Sequence, residues 1–186
     1  MTNETLSLIS ARRSHRAYET TPLTQEQLDA LLRAAVESPS AVNRQPWHFT
    51  VVRNQALLDD INKAVWEQMM KRDASRRSPR FADKDFHVFY HAPTVIFISG
   101  MPDNPYTPID GGIAVENIAL AAESLGLGSV ILGMPRDAFA GDRAEEFKKA
   151  LHFPEGWDFV IAIAVGVPAD TKEAHPVKED RISFVD

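Results

Sequence analysis

Residues 110 to 129 read DGGIAVENIALAAESLGLGS, and this stretch decides the interior of the fold. It contains no proline, begins at Asp110, a residue type suited to N-capping, and reaches Gly126, which is suited to end a helix. Its apolar residues go nearly all the way around a helical wheel, a pattern typical of a helix buried on several sides. We therefore predict a central helix over this stretch. Glu116 and Glu123 would share a narrow polar face, for which a subunit contact is favoured over a catalytic role.

The rest of the chain reads as alternating helices and strands, without a repeat or a low-complexity linker. Thr24 and Gln27 form a capping-box pattern, and the apolar residues that follow have helical spacing until Ser38-Pro39. The strand at 93–100 is apolar throughout and is predicted to be central. Further helices are predicted at about 55–73 and 143–151, further strands at 48–53, 129–134 and 159–168, and a β-like end in the tail HPVKEDRISFVD, residues 175–186.

Length and composition narrow the classes of function. A chain of 186 residues fits one domain over residues 1–186, and its net charge of −6 argues against a nucleic-acid surface. The absence of cysteine excludes disulfides, thiolate nucleophiles, iron–sulfur clusters and cysteine-based zinc sites. The first residues lack the pattern of a signal peptide, and the strongest apolar run, at 159–167, is too short to span a bilayer. A cytoplasmic protein is expected.

Several well-known chemistries find no support in the motifs. The sequence has no GxGxxG, no GxxxxGK[ST] and no GxSxG, which disfavours a dinucleotide fingerprint, a Walker loop and a hydrolase elbow. His87 and His91 have the spacing of a zinc helix, but no Glu follows His87 and Pro93 limits the helix. No metal site is predicted.

A basic cluster lies near the N-terminus, in SARRSHRAYETTPLT, residues 10 to 24. Arg12, Arg13 and Arg16 surround Ser14 and His15. Guanidinium groups with a hydroxyl among them suit a phosphate monoester, because each arginine presents a planar fork of donors. A solvated basic turn is the alternative, and this stretch taken alone favours it.

A second candidate region is the loop within ESPSAVNRQPWHFTVV, residues 37 to 52. Pro39 and Pro46 restrict the backbone, and Ser40, Asn43 and Gln45 between them can donate and accept hydrogen bonds. Such a loop is able to present polar groups to a flat heteroaromatic ring. The alternative is a rigid connection that binds no ligand.

Four segments in this order and spacing resemble the nitroreductase family of flavoproteins: RRSHRAY, SPSAVNRQPWHF, DGGIAVENIALAAESLGLGS and ILGMP. The resemblance covers nearly the whole chain. It implies an α+β fold with a mixed central β-sheet flanked by helices. It also implies an intertwined homodimer that holds two FMN molecules at the subunit interface.

The resemblance also implies roles for individual residues. The FMN phosphate and ribityl chain would be held by Arg12, Arg13, Ser14 and Arg16, with Lys178 and Arg181 as further cations from the tail. The isoalloxazine would be lined by loop residues of the other subunit, namely Pro39, Ser40, Ala41, Asn43 and Gln45. The backbone at Leu132 and Gly133 would face the flavin, with an N–H directed at N5.

The function implied is an FMN-dependent oxidoreductase. Hydride would pass from NADH or NADPH to flavin N5 and then, in a second step, to an electron-poor acceptor such as a nitroaromatic or a quinone. No catalytic side chain is assigned, because the cofactor carries the chemistry. An FMN carrier or sensor without turnover is the main alternative, and a dimeric binding module that has lost flavin is another. Arg76, Arg77 and Arg80 are candidates for reading the 2′-phosphate of NADPH, although a mobile, solvated loop is favoured.

Overall fold

A four-stranded antiparallel sheet forms the centre of the protein. The computed structural model describes residues 3–174, 176 and 178–185. The strands lie in the order β1-β2-β4-β3, so β2 and β4 are central and β1 and β3 are the edges. Every residue of β2 is buried, as predicted for a central strand. The strand bounds are β1 Trp47–Val52, β2 Thr94–Gly100, β3 Gly128–Leu132 and β4 Asp158–Gly166.

Five α-helices flank the sheet within the described residues. The capping box predicted at Thr24 and Gln27 is present at the start of the second helix, which confirms that boundary. The first helix, which begins after the side-chain cap of Asn3, was not predicted. The helix bounds are α1 Glu4–Ala11, α2 Gln25–Val36, α3 Gln55–Lys71, α4 Thr107–Ser124 and α5 Ala144–Ala150.

The two faces of the sheet contact different helices. Along β2, Val95 and Phe97 join a core with α3 and α5, whereas Ile96 and Ile98 join a core with α2 and α4. Successive side chains of a strand point to opposite faces, so a strand covered on both faces is apolar at every position. This is the physical reason why the sequence of β2 shows no polar alternation.

The helix α4 departs from its predicted start. It begins at Thr107 rather than Asp110, and Asp110 lies buried in its first turn. The Asp110 carboxylate accepts a hydrogen bond from the backbone N–H of Ala41 at 3.1 Å instead of capping its own helix. The predicted end is confirmed: Gly126 has a left-handed φ of +70°, and the Leu127 N–H donates to the Ala122 carbonyl at 2.9 Å.

The tail does not form the predicted β-like end. Residues 179–181 make a single 3₁₀ turn, and the described residues 182–185 belong to no strand. Positions 175, 177 and 186 of this tail lie outside the described residues. In the part of the chain that the structure covers, no helix is both long and apolar enough to cross a bilayer.

Candidate functional site

The arginine-rich segment, residues 12 to 16, lies along the open edge of the sheet beside β3. Ser14 forms a parallel bridge with Ser129, and the His15 N–H donates to the Ser129 carbonyl at 2.9 Å. A side chain on Gly128 would not fit here, since its Cβ would lie 2.8 Å from Pro168 and 3.0 Å from His15. The glycine thus allows the segment to approach the strand closely.

Each arginine of this segment is partly held by the protein. The Arg12 Nε lies 3.3 Å from Glu116 Oε1 on α4, which gives the predicted polar face of that helix a partner. The Arg13 Nη1 donates to the carbonyls of Ser10 at 2.6 Å and of Arg12 at 2.8 Å, and the Arg16 Nη1 donates to the Ser14 carbonyl at 3.2 Å. A guanidinium has five N–H donors, so each keeps others for a ligand.

The other end of β3 presents open backbone. Leu132 is buried, whereas the next residue, Gly133, is exposed and has no atom within 4 Å of the position that a Cβ would take. Gly133 lies four positions after Ser129, about 13 Å at the rise of a β-strand. The arginine-rich segment and the open backbone at Gly133 therefore lie at the two ends of one strand edge.

The loop between α2 and β1 has an unusual backbone. Val42, Asn43 and Gln45 have left-handed φ values of 48°, 54° and 47°. Few residues other than glycine adopt this conformation, and for β-branched valine it is a genuine outlier. Backbone strain of this kind concentrates at functional sites. Val42 is also 85% exposed, so burial of its own side chain does not explain the conformation.

Internal hydrogen bonds hold this loop in shape. The Ser40 Oγ accepts from the Gln45 N–H at 2.9 Å, and the Gln45 side-chain amide donates to Asn43 Oδ1 at 3.1 Å. The bond from Ala41 to Asp110 ties the loop to α4, and Asn117 donates to the Ser38 hydroxyl at 2.8 Å just before the loop. The loop is therefore supported from α4 at two points.

The structure does not bring the loop and the arginine-rich segment together within one subunit. The loop enters β1, and the carbonyl of Pro46 lies 2.7 Å from the position of a Cβ on Gly100 of β2. The arginine-rich segment lies beside β3, at the opposite edge, with β2 and β4 between. Three strand spacings amount to roughly 14 Å.

The predicted tail cations are exposed. Arg181 Nε lies 3.5 Å from the neighbouring Asp180 carboxylate, and Lys178 precedes the same 3₁₀ turn. Within the described residues, no hydrogen bond or ion pair joins Lys178 or Arg181 to the arginine-rich segment.

Of the three candidate arginines for a 2′-phosphate, for which a mobile, solvated loop was the favoured interpretation, Arg77 and Arg80 contact nearby parts of the chain. Arg77 donates to the carbonyls of Met70 at 2.9 Å and Arg72 at 3.0 Å, and the Arg80 guanidinium lies over the Tyr90 ring at 5.8 Å. Partial burial, and then the positive charge of Arg16, lower the pKa of Arg80. Arg80 thus lies close enough to the arginine-rich segment to be repelled by it, a proximity that no local signal in the sequence reveals.

Comparison with known proteins identifies the family. The nitroreductase family model matches residues 9–167 of this chain. A nitroreductase with bound FMN from Desulfitobacterium hafniense has a TM-score of 0.94 and 35% identity, covering 100% of both chains. A nitroreductase with bound FMN from Bacteroides fragilis has a TM-score of 0.91 and 30% identity, again covering 100% of both chains. An FMN reductase [NAD(P)H] of Bacillus subtilis is 28% identical over 182 residues, which cover 94% of this chain and 70% of that protein. With a family model over most of its length and relatives of the same fold, the chain belongs to the nitroreductase family.

Proposed function

We propose that this protein is an FMN-dependent oxidoreductase that uses NADH or NADPH to reduce an electron-poor acceptor, such as a nitroaromatic or a quinone. The observation that carries the proposal is the edge of β3, which has an arginine-rich segment at one end and open backbone at Gly133 at the other. The two nitroreductase structures with bound FMN and the relative named FMN reductase [NAD(P)H] support the same activity.

The chemistry of the donors fits the phosphate of FMN. Arg12, Arg13, Arg16 and the Ser14 hydroxyl would hold it. The Nη1 of Arg13 also donates to two backbone carbonyls at the end of α1, which leaves its other donors for the phosphate. A hydrogen bond to a charged group contributes about 1.5 to 3 kcal/mol. Lys178 and Arg181 remain proposed as further cations from the tail.

The open backbone fits the flat ring of the flavin. At Gly133 no side chain stands between the main chain and a ligand, so a planar group is able to approach the backbone N–H closely. Leu132 is buried in the core and holds the strand end in position. A backbone donor placed by a strand is more rigid than one placed by a long side chain.

A homodimer would complete the site. Because the strained loop lies at the sheet edge opposite the arginine-rich segment, Pro39, Ser40, Ala41, Asn43 and Gln45 would line the ring in the partner's site. Exposed apolar residues are available for such a contact. The helix α1 contains no buried residue, and large hydrophobic side chains are exposed on α1 and near the start of α4, namely Leu6, Ile9, Tyr106, Ile109 and Ile113. An apolar surface of this kind marks a protein contact.

Bound at this site, FMN would supply the redox chemistry between the reduced nicotinamide and the acceptor. The residues of this chain would bind the phosphate and present the backbone at Gly133 to the ring. No acid–base side chain is needed, because the cofactor would carry out the redox chemistry and the protein would bind and orient it. A cytoplasmic location, expected from the sequence, fits a supply of NADH and NADPH.

An absorption spectrum of the purified protein tests the proposal. We expect flavin bands that bleach when NADH or NADPH is added without oxygen and that return when a quinone follows. Bands that persist with both donors would favour the FMN carrier or sensor. Absence of flavin even after FMN is supplied would contradict the proposal.

A matched pair of variants connects the spectrum to the site. Arg16→Gln should lower the affinity for FMN by about tenfold, the effect of losing one charge-assisted bond. Arg33→Gln removes a guanidinium that pairs with Glu37 on the surface of α2, and it should leave FMN affinity unchanged. Equal affinities for the two variants would count against a phosphate site at the arginine-rich segment.

A further inference from the structure

Asp170 connects the chain that follows β4 to the arginine-rich segment. Its Oδ1 lies 2.7 Å from Nδ1 of His15, and its Oδ2 accepts the backbone N–H of Arg16 at 3.1 Å. An ionised carboxylate only accepts hydrogen bonds, so the His15 Nδ1 carries the hydrogen and donates it. The side chains of His15 and Asp170 are only 14% and 17% exposed, which makes this a built contact rather than a solvated ion pair.

His15 is held at two further points. Its backbone N–H donates to the Ser129 carbonyl at 2.9 Å, and its own carbonyl accepts the Tyr18 hydroxyl at 2.8 Å. Burial, and then the negative charge of Asp170, raise the pKa of Tyr18, so its hydroxyl remains a donor. The backbone between Ser14 and Arg16 is thereby restrained from β3, from Tyr18 and from Asp170.

The carboxylate of Asp170 remains ionised in this position. Partial burial alone would raise its pKa, but hydrogen bonds from the Arg16 N–H, His15 and Lys172 outweigh burial and lower the pKa. Lys172 Nζ lies 3.0 Å from Oδ2 and adds a third donor. Two of these donors, His15 and the Arg16 N–H, belong to the arginine-rich segment, so the Asp170 anion holds that segment in place.

We infer that Asp170 is a positioning residue for phosphate binding: by holding the His15 ring and the Arg16 N–H, it fixes the directions in which Ser14 and Arg16 present their donors. This inference rests on the proposed function, because the ligand is the FMN phosphate. It assigns a role to a carboxylate, a group whose charge would by itself repel a phosphate.

The sign of that charge makes the inference testable. Asp170→Asn keeps the shape of the side chain but removes the negative charge and one acceptor. Electrostatics alone would then strengthen FMN binding, whereas loss of positioning would weaken it. Riboflavin lacks the phosphate, so it reports on the ring site separately.

The experiment is a titration of the full chain with FMN and with riboflavin, followed by flavin fluorescence. For Asp170→Asn we expect the Kd of FMN to rise by roughly tenfold, as for one lost charge-assisted bond, with the Kd of riboflavin unchanged. Glu173→Gln removes the same charge from an exposed position three residues along, and it should leave both constants unchanged. His15→Leu removes the ring donor and should reproduce the selective loss of FMN. If Asp170→Asn does not fold, His15→Leu still tests whether the contact between His15 and Asp170 supports FMN binding.

Four results would overturn the inference. Tighter FMN binding by Asp170→Asn would mean that Asp170 acts only through its charge. Equal weakening of FMN and riboflavin would mean a general loss of structure. A wild-type chain that binds neither flavin would overturn the proposed function together with this inference, whereas unchanged binding by the variants would overturn this inference alone.

Discussion

Val42 illustrates at the scale of one residue how the candidate site departs from ordinary backbone geometry. It is a β-branched residue with left-handed φ and ψ of 48° and 30°, and its side chain is exposed. Its neighbours Asn43 and Gln45 have left-handed φ as well, so the strain extends over the loop. Asp110 and Ser40 supply the hydrogen bonds that maintain this shape.

Replacing Val42 by glycine should stabilise the protein. Relief of a left-handed conformation is worth about 1 to 2 kcal/mol, and the extra flexibility of glycine in the unfolded chain costs about 0.5 to 1 kcal/mol. We expect the free energy of unfolding to rise by about 0.5 to 1 kcal/mol, measured by urea denaturation at a fixed protein concentration. Val36→Gly, at the exposed end of α2, should instead lower it. If Val42→Gly lowered the free energy of unfolding as much as Val36→Gly does, the backbone of Val42 would not be strained.

His87 has both ring nitrogens in use. Its Nδ1 accepts the Phe89 N–H at 3.2 Å, so the neutral ring carries its hydrogen on Nε2, which lies 3.2 Å from Asp59 Oδ1. Burial, and then the nearby His91, lower the pKa of His87 from its ordinary value of 6.5, although Asp59 acts in the opposite direction. These two contacts give the His87 ring a structural role.

The depressed pKa of His87 predicts how stability depends on pH. Below the unfolded value of 6.5 the unfolded chain binds a proton that the folded chain does not yet bind, so stability falls as the pH falls. His87→Gln should flatten the decline in the free energy of unfolding between pH 7 and about pH 5. His152→Gln, which changes an exposed ring, should leave the slope unchanged. If the free energy of unfolding of His87→Gln depended on pH as it does in the wild type, the lowered pKa of His87 would be refuted.

At the scale of elements, α4 joins the two halves of the candidate site. Its first turn holds the strained loop through Asp110, and its middle holds Arg12 through Glu116. Its buried residues contact β2 and β4, so the helix transmits the position of the sheet to both regions. Two adjacent glycines in the first half of α4, Gly111 and Gly112, allow an experiment to test how closely the helix packs on the sheet.

Gly111 and Gly112 should respond oppositely to alanine. A Cβ on Gly111 would lie 2.7 Å from Val160 Cγ1, whereas a Cβ on Gly112 would have nothing within 4 Å. We expect Gly111→Ala to lower the free energy of unfolding by about 1 to 3 kcal/mol through overpacking. Gly112→Ala should raise it by up to about 1 kcal/mol, because alanine is the better helix former. Thermal and urea denaturation at equal protein concentration check both, and equal effects would contradict the close packing of α4 on β4.

At the scale of the whole molecule, the separation of the two candidate regions has a functional consequence. The arginine-rich segment and the strained loop lie at opposite edges of one sheet, so the proposed site requires two copies of the chain. The exposed apolar residues of α1 and α4 are the surface on which those copies would meet.

Ile109→Glu should separate the subunits of the proposed dimer. Ile109 is 59% exposed on the first turns of α4, and a carboxylate buried in an apolar contact without a partner is strongly unfavourable. We expect a monomer in sedimentation velocity and at least a tenfold loss of FMN affinity, since the loop of the partner would be missing. Met70→Glu, at an exposed methionine of α3, should remain dimeric and keep its affinity. A dimeric Ile109→Glu that binds FMN normally would refute this surface as the interface.

The sequence alone predicted those features whose causes are local. The capping box at Thr24, the left-handed glycine that ends α4 and the buried central strand β2 each depend on a few neighbouring residues, and all three are confirmed. The arginine cluster could also be recognised from the sequence, because the hydrogen-bond donors that suit a phosphate are neighbours along the chain. Asp110 was assigned to the wrong contact, since the residue that it holds is 69 positions away.

Tertiary structure alone decided how these local pieces meet. The sequence could not show that Asp170 holds His15 across 155 positions, that the charge of Arg16 acts on Arg80, or that the loop and the arginine-rich segment occupy opposite edges of the sheet. Local patterns determine which residues form a helix, a strand or a donor cluster, because hydrogen bonding and burial repeat over a few residues. Contacts between distant segments depend on strand order and register, which arise only when the whole chain closes around its core.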